Sequence, residues 1–342
     1  MKDIRDYSLL AHNTFGIDAK CKRFLEYSSV EEAQQIVAGL TAADQPLLIL
    51  GGGSNFLLTG DYEGTVIHSA IKGIEVLDNE KLHSSDSVFL SCGSGEVFDD
   101  VVAYAVEHGY HGAENLSIIP GEVGASAVQN IGAYGVEAKD IIYKVEAVEI
   151  ATGKVVVFDN QDCQYSYRQS RFKHEWKDKY LVTHVIYCLS KHFVPDLDYG
   201  NIRTSLAAKK IGNPTAQQLR DVIIEIRNAK LPDPKVQGNA GSFFMNPIVQ
   251  KAKYEELAAL YPGMPHYTID AEHEKIPAGW MIDQCGWKGK SLGRAGVHDK
   301  QALVLVNRGG ATGEEIVNLC ETIRKDVKRK FGIDIHPEVN VK

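Results

Sequence analysis

The sequence predicts an α+β protein of more than one domain, and three observations carry that expectation. Short β-branched runs alternate with amphipathic helical stretches. The glycine-rich segments that separate them are unlike one another, so no repeat architecture is present. The 342 residues also exceed one typical domain.

Taken in order, Ser29-Val30-Glu31-Glu32 has capping-box spacing and opens a helix to about Leu40. Gln45-Pro46 ends it. Leu47 to Leu50 is a short buried strand, followed at once by Gly51-Gly52-Gly53-Ser54-Asn55, and Gly64 to His68 is a second strand. Ser87 to Cys92 is a strand, and Val97 to His108 a helix with Phe98, Val101, Val102 and Ala105 on one face. A long glycine-rich segment, Gly112 to Gly135, shows no periodicity. Strands follow at Ile141–Ile150, Val155–Phe158 and Tyr180–Leu189. Leu197 to Lys210 is polar and contains Tyr199-Gly200. Thr215 opens a helix to about Asn228, which runs into Lys230-Leu231-Pro232-Asp233-Pro234. Near the end, Thr312 and Glu315 form a capping box, Ile316, Leu319, Cys320, Ile323 and Val327 make an apolar stripe, and Gly332 stops the helix. A final strand carries Ile333, Ile335 and Glu338. The divisions expected are 1–70, 71–192, 193–231 and 232–342.

Composition removes several function classes. Hydrophobic residues are 44% and charged residues 24% of the chain, which is ordinary for a folded protein and not for a disordered one. The formal charge is −8, so no global field draws in nucleic acid. An anionic ligand must be met by local Lys, Arg and backbone N–H groups. The basic run Arg324 to Lys330 falls on a predicted helix and reads as a solvated face near its C-terminal dipole. Six cysteines (Cys21, Cys92, Cys163, Cys188, Cys285 and Cys320) form no CxxC pair and fit no zinc spacing, so no metal is expected. The N-terminus has no apolar leader, and no stretch approaches the roughly 18 apolar residues of a membrane helix. A cytoplasmic protein with free thiols follows from that reading.

Two loops have the chemistry of a phosphate cradle. Consecutive glycines at 51–53 let bare N–H groups approach an anion, and Ser54 and Asn55 add side-chain donors. Neither GxGxxG nor GxxxxGK[ST] is matched, which disfavours a Rossmann domain. The second loop contains Pro120, Gly121, Gly124, Ala125, Gln129, Asn130, Ile131, Gly132, Tyr134 and Gly135. Long aperiodic segments of small residues are uncommon unless they bind something. Two of them in one half point to a large phosphate-bearing cofactor, with a plain glycine-rich turn as the alternative for the first.

Three side chains stand out as chemistry. Arg168, in Tyr165-Ser166-Tyr167-Arg168, is a cation between aromatics that suits a carboxylate, or an ordinary arginine of a surface strand. Ser242, in Gly238-Asn239-Ala240-Gly241-Ser242-Phe243-Phe244, is either a positioned hydroxyl or a turn-closing serine. Glu338, in Ile335-His336-Pro337-Glu338-Val339, needs a partner if buried and is otherwise a surface carboxylate.

Taken together, these segments resemble the UDP-N-acetylenolpyruvoylglucosamine reductase (MurB) family over nearly the whole chain and in order. The carriers are Leu50 to Asn55, Ile119-Pro120-Gly121, Gln129 to Gly135, Tyr167-Arg168, Ser242-Phe243-Phe244-Met245-Asn246-Pro247 and Pro337-Glu338-Val339, with Asn13-Thr14-Phe15 at the opening. The resemblance implies a two-part FAD-binding domain of the vanillyl-alcohol-oxidase (PCMH) type and a C-terminal α+β substrate-binding domain. It implies non-covalent FAD, with residues 51–55 on its pyrophosphate and 119–135 along the rest, and NADPH as co-substrate. The substrate implied is a UDP-linked enolpyruvyl amino sugar of peptidoglycan precursor synthesis. Ser242 would donate a proton, Arg168 and Glu338 would stabilise the enolate, and Tyr167, Tyr199, Lys230, Asn246 and Gln301 would contact substrate. A monomer is expected. Met245 departs from the family's common lysine, and the stretch from Tyr199 to Lys230 is slightly longer than usual.

Two rivals remain open on the residues. One is an FAD-dependent alcohol oxidase of the same cofactor fold, which would often tether its flavin through a residue such as Cys92, His68 or His111. The other is a nucleotide-sugar binding module without activity, against which Arg168, Ser242 and Glu338 speak.

Overall fold

The structure is a computed structural model and describes residues 1–77 and 86–342. It divides into two compact units that do not follow chain order. The first comprises Met1–Tyr7, Cys21–Gly52 and Glu63–Arg227; the second comprises Ser8–Lys20, Gly53–Tyr62 and Asn228–Lys342.

The first unit holds two sheets. One has the spatial order Lys2–Ser8, Lys20–Tyr27, Tyr62–Ser69, Leu47–Leu50. Its last two strands run parallel and set Leu50 opposite His68. The helix Val30–Gly39 starts where the capping serine predicts: Ser29 accepts a hydrogen bond from the Glu32 N–H at 3.2 Å. Its Ala33, Ile36 and Val37 bury against Leu25, Tyr27 and Ile67. The other sheet is antiparallel, in the order Val155–Asp159, Ile142–Glu149, Tyr180–Ser190, Ser87–Gly93, Ile74–Val76. The helix Phe98–Glu107 lays the four predicted residues, Phe98, Val101, Val102 and Ala105, onto this sheet's core beside Leu90, Val145 and Val185. A third cluster joins the helices Ile202–Ala208 and Ala216–Lys230 through Leu206, Leu219 and Ile223. Arg220 fixes that pair to Asp99 by two bonds of 2.7 and 3.0 Å.

The second unit is built on an antiparallel sheet in the order Asn239–Ser242, Val304–Asn307, Ala295–Val297, Ser291–Leu292. The helix Gly313–Phe331 covers it with Ile316, Leu319, Ile323 and Val327. The predicted Thr312–Glu315 capping box is present, and Gly332 ends the helix at φ +68°. A short strand, Asn340–Val341, pairs in parallel with Phe56–Leu57.

Several elements differ from the sequence expectation. Lys2–Ser8 and Lys20–Tyr27 are strands that the charged sequences KDIRDYS and KCKRFLEY conceal; the first is an edge strand, largely exposed. The glycine-rich segment contains a helix, Val123–Gln129, whose core-facing residues are too small to make a periodic signal. The polar stretch around Tyr199 contains the helix Ile202–Ala208. The expected final strand through Ile333 to Glu338 is not continuous. It reduces to one bridge, Phe244 to Pro337, and the strand Asn340–Val341, with Glu338 between them. No helix among the described residues is long and apolar enough to cross a membrane.

Candidate active site

In the first unit the two glycine-rich segments meet. A Cβ on Gly51 would lie 3.2 Å from the Ala125 Cβ, and one on Gly52 would lie 3.5 Å from the Gly121 Cα. Small residues and the Glu122 side chain thus lie against the bare backbone of Gly51 and Gly52. The second segment is held by its own main chain: the N–H of Val123 donates to Glu96 O at 2.9 Å, and that of Gly124 to Ser94 O at 2.8 Å. Ser126 continues the support, since its hydroxyl lies 2.6 Å from that of Tyr187. Pro120 is exposed, whereas Gln129 and Ile131 are half-buried.

Asn130 ends the helix Val123–Gln129 in the left-handed conformation, at φ +45°. Its side chain donates to Ser166 O at 2.8 Å and accepts from Lys139 N at 3.0 Å. Its backbone carbonyl receives the Arg168 Nη1 at 3.3 Å. Arg168 also donates from Nη2 to the carbonyl of Gly132. The arginine is in a tight turn and not in a surface strand. Ser166 and Gln169 exchange backbone bonds of 3.1 and 2.9 Å around Tyr167 and Arg168, with Arg168 at φ +57°. A non-glycine residue at positive φ stores strain that surrounding contacts must hold, a pattern concentrated at functional positions. The Tyr167 ring packs on that guanidinium at 5.1 Å and is itself exposed.

Tyr134, at φ +49°, precedes Gly135 and meets Tyr199 edge-on at 6.3 Å between ring centres. Asn115 ties the two loops, donating to Tyr134 O at 2.9 Å and to Asp196 O at 3.1 Å. The sequence reading missed Arg227. Its Nε is buried with no hydrogen-bond partner among the described residues. Burial pushes its guanidinium below the usual arginine value, and Arg168 lowers it further, while Tyr134 and Asp99 oppose the shift. A buried N–H without a partner on this half-buried arginine is costly and marks a candidate anion contact. The signal in sequence was slight: an arginine on an otherwise amphipathic helix.

In the second unit, the residues of the glycine run from Gly53 onward sit beside the opening motif. Gly53 has φ +63°, and a Cβ there would fall 1.9 Å from the His12 carbonyl, so glycine alone fits. Its carbonyl accepts from Thr14 N at 3.2 Å, and the Thr14 hydroxyl donates to Asn239 O at 2.6 Å. The Asn13-Thr14-Phe15 motif is thus a brace for Gly53 and for the strand leading to Ser242. Ser54 and Asn55 follow, and Asn55 Nδ2 donates to Glu338 O at 3.4 Å.

Ser242 closes the strand Asn239–Ser242, opposite Val304 and after a register shift, and is exposed. It stands on a bulged strand and not in a turn. The adjoining chain is the one that bears Glu338: Glu338 N donates to Phe243 O at 2.8 Å, and Met245 N donates to His336 O at 2.9 Å. Phe243 and Phe244 are buried and fix the serine's strand. Asn246 and Gln301 converge on the start of the helix Ala278–Gln284. Asn246 Oδ1 accepts from Ala278 N at 2.9 Å, and Gln301 Oε1 lies 3.0 Å from where a Gly279 Cβ would be. Lys230 is exposed.

The groups suited to tethering a flavin are otherwise engaged. Cys92 is fully buried, and burial pushes its thiol up to about 12. Both ring nitrogens of His68 face carboxylates, and His111 Nδ1 lies 2.9 Å from Glu114. All six cysteines are free, and no metal-ligating cluster occurs among the described residues. The bare backbone at 51, 52 and 121, together with a buried orphan oxygen on Glu122, fits a diphosphate nucleotide that also offers hydrogen-bond donors.

Comparison with known proteins gives the same picture. Residues 22–159 match the model of an FAD-binding domain, and residues 233–342 match that of the UDP-N-acetylenolpyruvoylglucosamine reductase C-terminal domain. The chain is 57% identical over 334 residues to the UDP-N-acetylenolpyruvoylglucosamine reductase of Bacteroides fragilis, covering 98% of each. It is 45% identical over 338 residues to that of Flavobacterium johnsoniae, again covering 98% of each. The crystal structure of the Thermus caldophilus reductase superposes with a TM-score of 0.66 at 20% identity, over 99% of this chain and 98% of that one, which shows a shared fold. The chain belongs to the UDP-N-acetylenolpyruvoylglucosamine reductase family of FAD-dependent oxidoreductases.

Proposed function

We propose that this chain reduces UDP-N-acetylglucosamine enolpyruvate to UDP-N-acetylmuramate at the expense of NADPH, with Ser242 as proton donor. The observation that carries the reading is the backbone pairing of the segment that bears Ser242 with the one that bears Glu338, through the 2.8 Å bond from Glu338 N to Phe243 O. Residues 51–55 and 119–135 hold FAD without a covalent bond. FAD held there would supply hydride chemistry, with NADPH as the source, for the vinyl carbon distal to the ether oxygen.

Negative charge then develops on the carbon α to the substrate carboxylate. Stabilising charge where it appears is usually the largest catalytic effect. Arg168 holds the carboxylate and spreads the charge of the enolate. Glu338 assists in its protonated form, or through a cationic neighbour, because a bare carboxylate repels an enolate. The Ser242 hydroxyl protonates the α carbon. Serine is a weak acid, but an enolate is a strong base and positioning supplies the remainder. Tyr199, Lys230, Asn246 and Gln301 bind the substrate's diphosphate region, and Tyr167 also contacts substrate. Residues 193–231 form the substrate loop and its linker helix. We place the enzyme in the cytoplasm as a monomer.

Anaerobic stopped-flow tests this reading. NADPH should bleach the flavin, and the enolpyruvyl sugar should restore its colour while UDP-N-acetylmuramate accumulates. Reoxidation by oxygen, with an alcohol as reductant and no response to the sugar, would establish the oxidase instead.

A further inference from the structure

Glu122 carries a feature that its surroundings leave unexplained. One carboxylate oxygen, Oε1, lies 3.1 Å from His68 Nε2, and the opposite ring nitrogen lies 3.0 Å from Glu26 Oε2. The Glu26 carboxylate is paired in turn with Lys2 Nζ at 2.6 Å. His68 and Glu122 are 9% and 16% exposed at their side chains, so the relay is largely out of water. The other oxygen of Glu122, Oε2, is buried and has no hydrogen-bond partner among the described residues. Leaving a buried carboxylate oxygen unsatisfied is costly. That cost is retained in a side chain whose other oxygen is held by a histidine 54 positions away.

The orphan oxygen has a definite outlook. It lies 3.4 Å from the position a Gly51 Cβ would take, and the Glu122 Cγ and Cδ lie 3.6 and 3.7 Å from that of Gly52. It therefore borders the place where the two bare backbone segments face each other. A phosphate cannot be its partner. Two anions in one buried spot repel, whereas a carboxylate is an acceptor and calls for a donor. A flavin adenine dinucleotide offers such donors in its sugar hydroxyls, immediately flanking the pyrophosphate.

We infer that Glu122 Oε2 accepts a hydrogen bond from a sugar hydroxyl of the bound flavin nucleotide, and that His68, held by Glu26, orients and neutralises the carboxylate for that contact. The inference rests on the FAD assignment. Glu122 is then a cofactor-binding residue and His68 its positioning residue. Burial opposes charge on His68, but the two carboxylates outweigh it and raise its pKa.

Flavin-free protein titrated with FAD, followed by flavin fluorescence, gives the affinity directly. Glu122→Ala should weaken FAD binding at least roughly tenfold, the scale of one hydrogen bond to a charged group. FAD analogues that each lack one hydroxyl, on the ribityl chain or on the adenosine ribose, separate the sources. With the analogue that has lost the contacting hydroxyl, wild type and Glu122→Ala should bind alike. Unchanged FAD affinity in Glu122→Ala would make the residue a brace between segments and overturn the inference. So would a tenfold loss that persists undiminished with every one of the analogues. Wild-type protein that takes up no FAD would remove the cofactor assignment first, and this contact with it.

Discussion

Glu338 donates its backbone N–H to the carbonyl of Phe243 at 2.8 Å, which pairs its segment with the residue that follows Ser242. The two groups belong to segments almost a hundred residues apart in sequence, and main-chain bonds on both sides hold them in step. Position here does not rely on the side chains themselves, so either can be replaced without displacing the other.

Replacement of Ser242 by Ala should accordingly leave the fold and the NADPH half-reaction intact. Reoxidation of reduced flavin by the enolpyruvyl sugar should slow by roughly a hundredfold or more, the low end for general acid catalysis. Stopped-flow measurement of each half-reaction separates the two. Equal loss in both would remove Ser242 from the proton transfer, and Ser242→Cys serves as a control that retains an acidic hydrogen.

Arg168 is held by the carbonyls of Asn130 and Gly132, so its guanidinium is aimed before substrate arrives. Arg168→Lys cannot keep both carbonyl contacts and a bidentate carboxylate together. A fall in turnover with the enolpyruvyl sugar of about a hundredfold is expected, the scale of losing one preorganised stabiliser. Activity within threefold of wild type would show that point charge alone suffices.

Gly53→Ala should be poorly tolerated. The added Cβ would meet the His12 carbonyl at 1.9 Å in a backbone at φ +63°. Left-handed backbone costs about 1–2 kcal/mol and overpacking about 1–3 kcal/mol, so a loss of about 2–5 kcal/mol is expected. Chemical denaturation reads this, together with the flavin content of the purified protein. Gly39→Ala, on a helix and with nothing within 4 Å of the new Cβ, is the matched control.

Arg227→Met removes a buried cation whose Nε lacks a partner while keeping the bulk of the chain. Thermal stability should be unchanged or higher, as expected when an unsatisfied buried polar group is replaced by an apolar one. If Arg227 meets an anionic substrate, KM for the UDP sugar should rise roughly tenfold at the same time, which is one lost contact. A stability loss with unaltered KM would assign the arginine to the fold.

His68 makes stability depend on pH in a defined direction. Burial opposes charge on its ring, but Glu122 and Glu26 raise its folded pKa above the ordinary value of about 6.5. The stabilisation from its charged form is therefore full below about pH 6.5 and is lost as pH rises through the folded value. Thermal scans of wild type should show this decline on the alkaline side, and His68→Gln should lack it. An identical pH profile in both proteins would show that the histidine is neutral throughout.

Much of this was legible in the sequence because the informative signals were local. The Thr312 capping box, the stripe from Ile316 to Val327 and the Leu47–Leu50 strand each depend on neighbours within a few positions, and each is present. Ser242 and Glu338 stood out through the segments around them, and the backbone bond between their chains supplies what sequence could not, their adjacency. What escaped detection depended on distant partners. Arg227 is unusual only because of what lies around a helix face, and Glu122 only because His68 reaches it from another sheet. The helix Val123–Gln129 was invisible for a different reason: its buried Gly124, Ser126 and Ala127 pack closely through small size rather than through an apolar period.

Asn130 draws these threads into a constraint on how the chain can vary. The position asks for a backbone at φ +45° and, at once, for a side chain that both donates, to Ser166 O at 2.8 Å, and accepts, from Lys139 N at 3.0 Å. Glycine satisfies the first demand and forfeits the second. Aspartate adopts the conformation but cannot donate, and would bring a second negative charge towards Glu137, whose Oε2 lies 3.3 Å from the amide. Asparagine alone answers both, so mutational drift at residue 130 has nowhere neutral to go, and a lineage that lost this amide would lose the aim of Arg168 with it.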